Sequence, residues 1–121
     1  MADAKFSDAS VLDALLNKIA TSVNITVCSA QPANYAGIAA VTLATTTLTS
    51  GDFSTGASGL SQVLTIAQKS SISITTSGTA VYIALDDGVT FLEGTLCTSQ
   101  ALTSGGTVTI PSWTVTATQP T

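Results

Sequence analysis

The sequence contains no histidine and no arginine, and charged residues fill only 8% of its 121 positions. Without histidine there is no Ser-His-Asp triad, no Cys-His pair and no imidazole ligand for a metal. The cations are three lysines, Lys5, Lys18 and Lys69, set against seven acids for a net charge of −4. Phosphate neutralisation needs clustered Lys and Arg, so no direct nucleic-acid partner is expected. No apolar run approaches the roughly 18 residues of a helical membrane span, so no membrane partner is expected either. The opening Met1-Ala-Asp-Ala-Lys-Phe6 has no basic stretch followed by an apolar one, which argues against a secretory signal and for synthesis in a cytoplasm. Aromatics are also scarce, at 5%. Neither an enzyme nor a bound cofactor nor a metal is expected from this inventory.

What the chain has instead is hydroxyl groups: 22 Thr and 15 Ser, beside 45% hydrophobic residues. β-branched residues favour pleated strands, and so much apolar matter argues against disorder. One helix is expected over 8–20, after an N-terminal arm of residues 1–6. Ser7 suits its N-cap, Phe6 and Val11 have the spacing of a hydrophobic staple, and Asp8 and Lys18 complement the helix dipole. Leu12, Leu15, Leu16 and Ile19 form one apolar stripe. After Thr21 the period changes to two. Val23, Ile25 and Val27 alternate with polar neighbours, and a loop is expected over Ser29–Gly37. Strands are expected over Ala39–Thr49, with Val41 and Leu43 on one side, and over Leu60–Ala67, with Leu60, Gln62, Leu64 and Ile66 on one face. Between them, Ser50–Gly59 reads as a Gly/Ser-rich loop. Ile72 and Ile74 begin a further strand, and Val81, Ile83 and Leu85 alternate with Tyr82 and Ala84. Asp86-Asp87-Gly88 predicts a tight primed hairpin turn, with Val89–Leu96 returning beside it. Thr107–Ile110 and Trp113–Thr118 complete the set. The expected fold is mainly β: an antiparallel β-sandwich or barrel-like single domain over 7–121, with about seven or eight short strands and one short N-terminal α-helix.

Cys28 and Cys97 are the only cysteines. An intramolecular disulfide, two buried free thiols and an intersubunit bond all fit their placement at strand ends, whereas zinc does not. Asp86, Asp87 and Glu93 form one acidic cluster whose spacing matches turn chemistry better than a Ca²⁺ loop. Lys69-Ser70-Ser71 reads as a turn rather than a Ser/Lys dyad, because adjacent strand residues point to opposite faces. Ser104-Gly-Gly-Thr107 lacks the Lys and the helix of a phosphate loop. Soluble domains usually carry about 25% charged residues. A surface with a third of that, studded with Thr, is suited to lying against other protein. Phe6, Gln31, Pro32, Asn34 and Tyr35 are candidate contact residues, as are Asp52 and Phe53 in the Gly51–Gly59 loop. A carbohydrate-binding module is the alternative of another class. It would need an exposed platform from Tyr35, Tyr82 or Trp113.

The order of a short helix, Ser29-Ala-Gln-Pro-Ala-Asn-Tyr-Ala-Gly37, Thr-rich strands through Gly78–Gly88 and Glu93-Gly-Thr95, and a closing Gly105-Gly-Thr-Val-Thr-Ile-Pro-Ser-Trp113 resembles the small Ala/Thr/Ser-rich virion structural proteins of tailed bacteriophages. The resemblance spans most of Asp8–Thr118 and rests on composition and strand spacing. It implies a non-enzymatic component of the virion, made in the host cytoplasm, and most directly a capsid decoration or cement protein bound to the major capsid protein. A homo-oligomer is implied, with a trimer the expected form. A tail, collar, baseplate or fibre-associated subunit is the alternative within the same group.

Overall fold

Leu12 and Leu16 lie one helical turn apart, and through them the first element docks on the rest of the chain. A computed structural model of the protein describes residues 9–58 and 61–117. The first helix, α1, runs Ala9–Ile19. Leu12 and Leu16 are 3% and 1% exposed, and α1 packs on two strands of a β-sheet described below. Burying each leucine contributes about 1.5–3 kcal/mol, which a helix this short needs to be stable. The expected stripe is too wide: Leu15 is 58% exposed and Val11 is exposed beside it. The arm 1–6, the cap Ser7, the staple partner Phe6, Asp8, Leu60 and Thr118 lie outside the described residues.

The remaining elements are β1 (Asn24–Cys28), α2 (Tyr35–Val41), β2 (Thr42–Thr47), a 3₁₀ turn (Ser50–Asp52), β3 (Phe53–Ser58), β4 (Ser61–Ile66), β5 (Lys69–Ser73), β6 (Gly78–Asp86), β7 (Phe91–Leu102), β8 (Thr107–Ile110) and β9 (Trp113–Ala117). One sheet has the order β2-β1-β6-β7, a second β3-β4-β9, and β5 and β8 form a ribbon. Every pairing is antiparallel. The ribbon is stitched to the first sheet by a bridge between Ala44 and Ile74. Ile25, Val27, Leu43, Ile83 and Leu85 of the first sheet share one core with Leu64 and Ile66 of β4, Ile72, Ile110, Ala117 and the two α1 leucines. The expected mainly β, antiparallel, sandwich-like fold is thus present, with nine strands and two α-helices among the described residues.

The second helix was unexpected, and it changes the outer face of the first sheet. Asn34 ends the predicted loop by capping α2, its Oδ1 accepting from Gly37 N–H at 2.9 Å. Ile38 and Val41 of α2 then cover Cys28, Tyr82 and Ala84. β1 and β6 are therefore buried on both faces, although their sequences alternate. Val41 ends a helix and packs with this outer cluster, not beside Leu43. Val81 also joins it, because a bulge between Ala80 and Tyr82 breaks the expected alternation with Ile83 and Leu85. Phe53–Ser58, taken as loop, is strand β3, and β7 runs to Leu102 rather than stopping at Leu96. The Asp86-Asp87-Gly88 turn is wider than the primed hairpin expected. Gly88 alone takes a positive φ, of 93°, and residues 87–90 close through Asp87 N–H on the Thr90 carbonyl at 3.2 Å.

The buried Tyr82 ring lies across Gly94 of β7 and meets Phe91 edge-on, with centroids 6.4 Å apart. A Cβ on residue 94 would overlap that ring. Gly94→Ala should cost about 1–3 kcal/mol, the range for overpacking. Gly56→Ala, where a Cβ meets nothing within 4 Å, should stay within about 1 kcal/mol of the parent. Urea unfolding of the two variants checks this, and equal midpoints would contradict it.

Candidate functional site

The groups able to do chemistry are dispersed by this fold. Cys28 and Cys97 are free thiols, the first buried and the second half-buried. Burial, with a smaller contribution from nearby Cys97, pushes the Cys28 thiol up from 9.0 to about 11, and burial raises Cys97 as well. Neither has the cationic surroundings that activate a thiolate. Lys69 Nζ is held at 3.0 Å by Asp52 Oδ2, which also accepts from Thr49 N–H at 2.8 Å. That backbone bond, with Lys69, keeps the Asp52 carboxyl below its ordinary 3.8. Ser71 makes no side-chain hydrogen bond among the described residues. It occupies a bulge of β5 with φ of 56°, a left-handed conformation unusual for serine. No group of three His, Cys, Asp or Glu is placed to hold a metal among the described residues.

The expected contact residues separate into two sets. Gln31, Asn34 and Tyr35 are exposed at the start of α2, while Pro32 is buried beneath it against Gly37. Asn34 is engaged as the helix cap. Asp52 ends the 3₁₀ turn that leads into β3 of the second sheet, Phe53 opens β3 and packs inward on the main core, and they line none of the grooves around α2. Of the three aromatics considered for a stacking platform, Tyr82 is buried, Trp113 is half-buried on the core with its Nε1 unpartnered, and Tyr35 is exposed.

One concave feature combines Tyr35 and Asp86 with residues that sequence reasoning passed over. A groove of about 280 Å³ lies between α2 and the outer face of the first sheet, lined by Tyr35, Ala36, Ile38 and Ala39 on one wall. Asn24, Thr26, Thr42, Thr45 and Asp86 form the rest. The register of β1 brings these together: Asn24 pairs with Asp86 of β6, and Thr26 pairs with Thr45 of β2. Asp86 is 3% exposed. Its Oδ1 accepts from Asn24 Nδ2 at 3.0 Å and from Gly88 N–H at 2.9 Å. Thr42 donates to the Ile38 carbonyl at 2.8 Å and Thr45 to the Ile25 carbonyl at 3.1 Å. The Thr26 and Thr45 hydroxyls also meet each other at 3.0 Å, where either can donate. Sequence reasoning took Asp86 as a turn former and these threonines as surface hydroxyls. The signal that could have found them is the pairing register, which a single sequence does not display.

Comparison with known proteins returns no matching family model, no matching curated relative and no matching solved structure.

Two predictions concern ionisation. A thiol whose pKa rises on folding contributes stability that is complete below its unfolded value and is lost above it. Stability should therefore decline as pH climbs from 9.0 towards about 11, and Cys28→Ala should flatten part of that decline. Tyr82, raised by burial and then by Glu93 and Cys28, adds to the same slope. On the acid side, Asp52 is depressed, as is Asp87, whose carboxylate accepts from Val89 and Thr90 N–H. Their contribution should be complete above 3.8 and fall as pH drops through their lowered values. Denaturant unfolding across pH checks both, and a flat profile in either window would contradict it.

Proposed function

We propose that the chain is a non-enzymatic structural subunit of a tailed-bacteriophage virion, a capsid decoration protein that acts by packing against sister copies and the major capsid protein. The observation that carries the assembly reading is the open edge of β7. Among the described residues β7 hydrogen-bonds to β6 alone, and it closes the sheet on that side. Twelve residues at about 3.3 Å each make an edge near 40 Å long. Glu93 is its only charged residue, it contains no proline, and Leu96 is 73% exposed upon it. Folded monomers blunt such edges with lysine, proline or a covering element. An edge this long, with Glu93 its single charge and two bulges along its pairing with β6, is still a template for strand addition by another chain.

The low-charge, threonine-rich exterior supports the same reading, since hydroxyls are covered at less desolvation cost than charges. The resemblance to phage virion proteins supplies the setting. Symmetric repetition on a shell turns modest single contacts into strong retention.

The test is a mass-spectrometric copy count on intact particles, with binding of the purified protein to expanded capsids that lack it. A copy number matching the capsid lattice and saturable binding are expected. A count matching the tail or collar, or no binding, overturns the decoration role. Leu96→Lys should leave folding unchanged and weaken assembly about tenfold or more. A variant that assembles like the parent overturns the role of the β7 edge.

A further inference from the structure

We propose that the groove between α2 and the first sheet binds a primary ammonium group, carried by a lysine side chain of a different polypeptide packed on this face. Its second half rests on the assembly reading and names the chemistry of the partner.

Asp86 is almost wholly buried, and a buried carboxylate is costly unless something compensates its charge. Among the described residues the ion pairs are Lys18–Asp87, at 3.9 Å, and Lys69–Asp52, and neither reaches Asp86. Its Oδ1 is occupied by two N–H donors, while Oδ2 accepts no hydrogen bond among the described residues. Thr42 and Thr45 have backbone carbonyls as hydroxyl acceptors and Thr26 and Thr45 share a hydrogen bond, so these oxygens have lone pairs to offer the groove. The groove is thus rich in acceptors and carries a negative charge. Tyr35 adds an aromatic wall suited to a cation.

Shape and charge narrow the occupant. About 280 Å³ is below the range of pockets for drug-sized ligands and ample for one side chain. A guanidinium would seek both carboxylate oxygens, and Oδ1 is taken, whereas a compact three-donor ammonium needs only Oδ2 and neighbouring hydroxyl oxygens. Sister copies are poor suppliers of that cation. They carry no arginine, three lysines and a net charge of −4, and Lys69 is held by Asp52. The lysine is accordingly assigned to another kind of chain, and a sister copy is the occupant whose detection would overturn that assignment.

The experiment follows the amide resonances of Asn24, Thr26, Thr45 and Gly88 while Nα-acetyl-lysine methylamide is titrated into the full chain. Saturable movement is expected. Its uncharged norleucine counterpart should give none, and the arginine counterpart should bind more weakly. Asp86→Asn keeps the acceptor for Gly88 but puts an NH₂ in place of Oδ2, and should weaken the lysine probe at least about tenfold. Ala39→Lys, on the exposed wall of the groove, leaves Asp86 in place. Should Asp86→Asn fail to fold, this variant carries the test, because its own ammonium should occupy the groove and exclude the probe. An equal response to norleucine, or undiminished binding in either folded variant, overturns the ammonium site. Movement of the same signals on concentrating the protein without probe assigns the groove to a sister copy and overturns the partner. The Leu96→Lys protein should retain probe binding, so failure of the β7 edge and failure of this groove are read separately.

Discussion

β1 and β6 need cover on two sides, and the rest of the chain is arranged to supply it. On the inner side, Ile25, Val27, Ile83 and Leu85 are met by α1, the second sheet and the ribbon. On the outer side, Thr26, Cys28, Tyr82 and Ala84 are met by one short helix. A seven-residue helix is too short to be stable alone. It persists because Asn34 caps it and Ile38 and Val41 seal the outer cluster. Remove that cover and the central strands expose apolar and aromatic surface to water, while α2 loses the surface that holds it. Each element is thus conditional on the other, as expected of a domain of this size with one main core.

Threonine does different work at different depths. On the exposed strands it supplies β-propensity without charge. Beneath α2, Thr26, Thr42 and Thr45 are pinned to carbonyl oxygens and to one another, so partial burial leaves no hydroxyl proton unmade. The cost appears in the lone pairs, which face the groove together with Asp86. A polar network satisfied from one side only is selective about what meets its other side.

Much of the fold could be read from the residues. The helix near the N-terminus, the strand at Ile25–Val27, the strand ending at Ile66 and the hairpin at Asp86-Asp87 all follow from local spacing and turn chemistry. Two things could not be read so. Alternation marks a strand with one wet face, whereas β6 is apolar on both, with Ile83 and Leu85 on the main core and Val81, Tyr82 and Ala84 in the outer cluster. Its pattern describes fit to α2 rather than exposure. Helix α2 itself was hidden because Gln-Pro-Ala-Asn reads as loop, which it is, and Tyr-Ala-Gly-Ile-Ala-Ala-Val is too short and too weakly amphipathic to announce itself. The groove depends on the register of β1 with β2 and β6, a long-range property that no local motif encodes.

The β7 edge and the groove call for different kinds of neighbour. The β7 edge offers backbone donors and acceptors in alternation, which any extended strand can complete, including that of an identical copy. The groove offers acceptors and a negative charge, which an identical copy with few cations is ill equipped to complete. Under the proposed assembly role, the first contact, indifferent to side chains, would join identical copies, and the second, selective for charge, would fix them on a different subunit.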